Sequence, residues 1–205
     1  MRYLAISLLL LVFSSCSLKT TEGLREQVAQ VSEIQNPYFS NTSEDYVYKA
    51  KLDIYGRYFG GILVVKKLTK NSHRVVFTTE LGNRIFDFSY NDDSFTPNYV
   101  VDQLDKKLIL NILERDFRVL VKEYVKPTSQ FSTDYGNLYQ TNDDGRFNFY
   151  KFAKDTKRLE SIVNTTKTKE KIIFSFEGDT QIAKQIDITH QSIKFNISLI
   201  KFENQ

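Results

Sequence analysis

The 205-residue chain is poor in the residues that carry most covalent and metal chemistry: it has one cysteine, two histidines and no tryptophan. The lone thiol, Cys16, has no partner for an intramolecular disulfide, so the fold must be held by its core. A zinc site takes several Cys or His ligands at short spacing, and His73 and His190 lie far apart in the chain. No Gly-x-Ser-x-Gly elbow or His-Glu-x-x-His pair occurs, and Gly56, Gly60 and Gly61 lack the spacing of a phosphate-cradling loop. The acidic pairs Asp92-Asp93 and Asp143-Asp144 sit among Asn, Ser and Gly without the alternating register of a calcium loop, and read as turns. These absences argue against an enzyme and give no reason to expect a metal or cofactor. No block of five or six like charges occurs, which removes the electrostatic case for nucleic acid. Long apolar runs are missing as well. The uncharged stretch Tyr3–Phe13 has eleven residues, and a spanning helix needs about 20.

That short run has a context of its own. Met1-Arg2 supplies a basic start, and the small residues Ser14-Ser15 follow the apolar core, which is the layout of a secretory signal. The tetrad Phe13-Ser14-Ser15-Cys16 resembles the lipobox of bacterial lipoproteins, with Phe13 in place of the usual leucine. The resemblance implies cleavage before Cys16 and a diacylglycerol on its thiol. Two or three acyl chains make an effectively permanent membrane anchor. The expected organisation is a signal peptide over 1–15, a lipid-anchored tether over 16–44 and one domain over 45–205. Arg2 is the only charged residue before Cys16, so the expected mature chain keeps 27 of the 28 basic side chains against 25 acidic ones. In enteric-type lipoproteins an Asp after the cysteine retains the protein in the inner membrane. Ser17 is not that signal, so the outer membrane, on its periplasmic face, is the expected location.

Sixteen Phe and twelve Tyr dominate what is present, and aromatic and β-branched enrichment favours strands. Leu24–Ile34 has helical spacing at Leu24, Val28 and Val31, followed by the breakers Asn36-Pro37. From Tyr46 to Ile54 the period is two, with one wet face. Ile62-Leu63-Val64-Val65 is apolar on both faces, and 74–80 and 84–90 form a hairpin about Gly82-Asn83. Over residues 98–124 the spacing changes: Leu104, Leu108, Ile112, Leu113, Phe117, Leu120 and Tyr124 fall at three- and four-residue steps, predicting an amphipathic helix. Strands return at 146–152, 159–163, 172–176, 182–188 and 193–199. The expectation is a mainly β, α+β fold: a curved antiparallel sheet of about nine strands with the helical insertion packed on its concave side.

The order of a lipobox, an initial strand, Gly60-Gly61-Ile62-Leu63-Val64-Val65-Lys66-Lys67, Arg74-Val75-Val76-Phe77 and Gly82-Asn83-Arg84-Ile85-Phe86-Asp87-Phe88 resembles the LolA/LolB-type lipoprotein-carrier superfamily. That resemblance implies a half-open antiparallel barrel, capped by helices, that holds acyl chains. The candidate pocket residues are Tyr48, Leu52, Ile62, Val64, Phe86, Phe88, Leu108, Ile112 and Phe117. Three functions follow: binding of lipid or a lipidated protein, a scaffold or accessory subunit of an envelope complex with no ligand cavity, and an envelope hydrolase. Pocket lining and core filling share one composition, so the sequence leaves the first two open.

Overall fold

The computed structural model describes residues 18–202 apart from Asp93 and Asp144. The signal peptide and Cys16 lie outside the described residues. The strands are β1 (Glu26–Val28), β2 (Ile34–Gln35), β3 (Asp45–Ile54), β4 (Arg57–Thr69), β5 (Ser72–Thr78), β6 (Arg84–Asn91) and β7 (Ser94–Val100). The helix α1 (Lys107–Val121) follows, then β8 (Tyr124–Val125), β9 (Ser129–Thr133), β10 (Gly136–Asp143), β11 (Arg146–Ala153), β12 (Leu159–Thr165), β13 (Glu170–Gly178), β14 (Ala183–His190) and β15 (Phe195–Lys201). Thirteen strands form one antiparallel sheet in the order β1-β9-β10-β11-β12-β13-β14-β15-β3-β4-β5-β6-β7, and β2 pairs separately with β8. Its two edges, β1 and β7, are not joined, so the sheet is open rather than a closed barrel.

The fold is mainly β and antiparallel, as expected, but the sheet has thirteen strands where about nine were anticipated. The four additional sheet strands are β1 and β7, which are mostly exposed, and β9 and β10, whose sequences are mostly polar. Both edges are blunted against pairing with another chain: β1 has three residues, and β7 carries Pro97, which has no N–H to offer. Gly61 is demanded by the β4–β5 contact, because a Cβ there would lie 1.9 Å from the Thr78 carbonyl oxygen.

Residues 18–44 are not a tether. Leu18 and Leu24 pack with Phe131, Leu138 and Phe149, β1 pairs with β9, and Asn36, Tyr38 and Phe39 are fully buried. The Tyr38 hydroxyl donates toward the carbonyls of Leu159 and Asp179 at 2.9 and 3.1 Å, and burial pushes its pKa up to about 12. The short helix expected over Leu24–Ile34 is absent, because β-pairing of Glu26–Val28 supplies backbone partners that an isolated short helix lacks.

The helix is shorter than the 98–124 span and keeps the expected stripe at Ile112, Leu113, Phe117 and Leu120, with Ile109 rather than Leu108 at its start. β7 continues to Val100, and α1 buries Ile109, Ile112, Leu113, Asp116, Phe117 and Leu120, the i, i+3, i+4 stripe of one face. Two consecutive residues of that stripe touch distant strands. Phe117 packs on Phe86 of β6 with ring centroids 5.7 Å apart, while the Asp116 carboxylate meets His190 of β14 at 2.7 Å. β6 and β14 are five steps apart in the sheet order, which a flat sheet would spread over about 24 Å. Adjacent side chains cannot reach across that gap, so the sheet bends around α1.

Candidate functional site

The expected acyl-chain residues divide three ways. Tyr48, Leu52, Phe86, Phe88, Ile112 and Phe117 come together in the main core. Ile62 and Val64 do not join them: on β4 it is Leu63, Val65 and Lys67 that turn inward, and the pleat sends Ile62 and Val64 to the other face, half-buried. Leu108 stands 62% exposed on the solvent side of α1, out of phase with the buried stripe. The residues that do gather are tightly packed. Leu52, Phe86, Phe88 and Phe117 are all at 0% exposure, Phe86 stacks on Phe88 with centroids 4.4 Å apart, and the Tyr48 hydroxyl donates to the Ala183 carbonyl at 2.8 Å. A side chain bordering a void that admits water retains accessible surface, and Leu52, Phe86, Phe88 and Phe117 retain none.

Polar chemistry gathers instead at the end of the sheet beside the C-terminus of α1. Lys67 Nζ lies 2.5 Å from Glu123 Oε2 and donates to the Ser40 carbonyl at 2.9 Å, while Gln35 Nε2 donates to Glu123 Oε1 at 2.9 Å. Burial opposes ionisation of Glu123, but the hydrogen bonds from Lys67 and Gln35 outweigh it and hold the carboxyl below its usual range. Next to this pair His73 Nε2 sits 3.0 Å from the Phe39 carbonyl. A carbonyl only accepts, so Nε2 carries the hydrogen and Nδ1 is the titrating nitrogen. Burial lowers the His73 pKa and nearby Lys67 adds to that, against the opposing pull of the Phe39 carbonyl and Glu123. His73 and Glu123 border an open cleft of about 470 Å³ with Lys70, Arg118, Lys122 and Tyr124. The carboxylate is already engaged by lysine and glutamine, and the imidazole by backbone, so the cluster reads as a clamp joining β2, β4, β5 and the segment after α1.

This clamp has a pH signature. A depressed folded-state pKa on His73 means that the unfolded chain binds the proton first as pH falls. The stability contribution is therefore fully present above the ordinary value of 6.5 and is lost as pH drops through it toward the folded value. The melting temperature should begin to fall as pH drops through about 6.5, ahead of any carboxylate step. His73→Gln keeps a donor for Phe39 and should flatten that segment of the profile. An unchanged slope would remove His73 as its cause.

A second polar feature crosses the inner face. Register aligns Thr141, Asn148, Asn164, Ile172 and His190 in one row over β10 to β14, and all but Ile172 are polar. Asn164 Nδ2 donates to Asn148 Oδ1 at 2.7 Å, Arg146 donates to Asn164 Oδ1 at 2.9 Å, and His190 Nε2 donates to Asp116 Oδ2 at 2.7 Å. Arg115 reaches Asp116 Oδ1 at 3.4 Å. Sequence reasoning passed over this row, because Asn148, Asn164 and His190 gain meaning only through register. One signal was available: Asp116 stands at the i+3 position from Leu113 inside an apolar stripe, and a buried acid there needs a partner.

No protein-family model and no curated protein matches this chain. Among the described residues, no group of three or more His, Cys, Asp and Glu side chains could hold a metal ion, and no helix is long and apolar enough to cross a membrane. On the opposite face of the sheet the N-terminal segment borders a groove of about 350 Å³, lined by Lys19, Thr20, Leu24, Val163, Glu170 and Ile173 among others. The geometry offers a packed interior, a polar clamp and an outer groove beside the N-terminus.

Proposed function

We propose that this chain is a lipid-anchored protein of the bacterial envelope, without enzymatic activity, acting as a scaffold or accessory subunit of an outer-membrane complex. Its domain is an open half-barrel with α1 laid on the concave side, and that interior is structural. The observation that carries the reading is the full burial of Leu52, Phe86, Phe88 and Phe117 between sheet and helix, with no water-accessible void beside them. The polar clamp about Lys67 and Glu123 supports it too, since its charged groups are spent on one another.

A second reading, binding of an acyl chain or a lipidated protein as the LolA/LolB resemblance implies, draws on one feature. The sheet is not closed, so α1 could leave its inner face without breaking a ring of backbone hydrogen bonds. Organic extraction and mass spectrometry of the Cys16→Ala protein separate the two. The scaffold reading expects no lipid, and one equivalent of bound lipid would replace it with carriage.

The anchor has its own test. Cys16→Ala should move the exported protein from the membrane fraction to the soluble periplasmic fraction. An intact mass of the wild-type protein without lipid on residue 16 would end the anchor reading.

A further inference from the structure

Only Ser17 stands between Cys16 and Leu18, the first described residue, so covalent geometry keeps the two within about 7 Å of each other. With so little slack, a lipid on Cys16 would hold the domain against the bilayer by whatever surface surrounds Leu18. That surface is defined. The Thr20 hydroxyl donates to Glu170 Oε1 at 2.6 Å, tying the N-terminal segment to the first residue of β13, and Lys19 and Glu170 border the same outer groove. Glu170 follows the β12–β13 turn, Thr166-Lys167-Thr168-Lys169, closed by hydrogen bonds between Thr166 and Lys169. Lys19, Lys167 and Lys169 are exposed, and Lys171 is half-buried on the outer face of β13. None of these four is engaged in an ion pair among the described residues.

We propose that Lys19, Lys167, Lys169 and Lys171 form the surface on which the domain rests against anionic phospholipid, with the β12–β13 turn facing the headgroups. The proposal rests on the anchor reading and adds an orientation to it. The charge is complementary to a phosphate-bearing surface and lies where the short connection delivers it. Each lysine near such a surface strengthens attraction by about fivefold, within a range set by salt. The resting surface leaves the Lys67–Glu123 clamp and the inner face of the sheet free of the bilayer.

The absence of native tryptophan makes the orientation readable. Thr168→Trp places a single indole in the turn, and Leu68→Trp places one beside the β4–β5 turn, at the opposite end of the strands and 52% exposed in the parent side chain. The full-length lipidated protein is reconstituted in vesicles of phosphatidylethanolamine and phosphatidylglycerol whose acyl chains carry bromine at shallow positions. The Thr168→Trp protein should lose most of its emission and the Leu68→Trp protein none. Adding Lys167→Glu and Lys169→Glu should restore the emission, as should omitting phosphatidylglycerol. Equal quenching at both positions, or quenching indifferent to phosphatidylglycerol, overturns the orientation. If intact mass shows no lipid at Cys16, the anchor reading fails, and cosedimentation of that protein with phosphatidylglycerol vesicles decides the surface alone. Salt-sensitive binding lost in the double-glutamate variant upholds it, and no binding overturns it.

Discussion

Leu108→Arg should leave the domain folded with near-normal stability, whereas Phe117→Arg should prevent folding. Leu108 projects into solvent from the first turns of α1, so an arginine there keeps its hydration and displaces nothing. Phe117 is at 0% exposure and packs on Phe86. Deleting a buried phenyl ring costs about 3–5 kcal/mol. An unpaired charge in the space left behind costs several more. A domain of this size has about 5–15 kcal/mol in hand, so the variant should show no cooperative urea transition. The pair also divides the two functional readings. Were α1 the movable wall of an acyl pocket, water could follow the charge, and Phe117→Arg would fold while losing lipid. A folded Phe117→Arg protein with a cooperative transition would therefore sink the packed-core account.

The class of fold was legible because the inner faces of β3, β5, β13 and β15 obey strict alternation, and burial follows that alternation residue by residue. What escaped was of a different kind. β9 and β10 read Ser-Gln-Phe-Ser-Thr and Gly-Asn-Leu-Tyr-Gln-Thr-Asn-Asp, with too few apolar positions to mark a period, and they are strands because β1 and β11 offer partners. The misplacement of Leu108 has a local cause. Leu104, Leu108 and Ile112 are evenly spaced, yet Leu104 belongs to the turn before the helix, where its N–H bonds the Val101 carbonyl. Ile109 and Asp116 complete the buried stripe of Ile112, Leu113, Phe117 and Leu120. A charged residue on an apolar face is discounted by any hydrophobic count, although its burial reports the position of His190. For Ile62 and Val64 the run of four apolar residues on β4 concealed which parity points inward. Lys67 resolves it, since the same parity leads from Leu63 and Val65 to a buried lysine paired with Glu123.

Removing the buried acid from α1 should cost more than removing the acid and its partner together. Asp116 has no exposed surface, and His190 in β14 donates to it at 2.7 Å while packing against Phe195 with centroids 5.1 Å apart. His190→Leu strands the carboxylate with only the 3.4 Å contact to Arg115, and losing one member of a buried pair costs about 3–5 kcal/mol. Asp116→Leu leaves an imidazole N–H without an acceptor, for about 1–3 kcal/mol. In the variant carrying both substitutions, the leucine on α1 continues the stripe of Leu113, Phe117 and Leu120. The leucine on β14 meets Phe195, so neither polar group is left buried and alone. Urea midpoints should place the double variant above both singles and close to the wild type, a coupling of about 2 kcal/mol or more where independent sites would add. Simple additivity would mean that the pair is not what joins α1 to β14. If the coupling is found, the polar contact contributes little net stability over a leucine pair. Its role is then placement: with Phe117 committed to β6, it fixes which row of β14 the same turn of α1 must meet, and so how far the sheet closes around the helix.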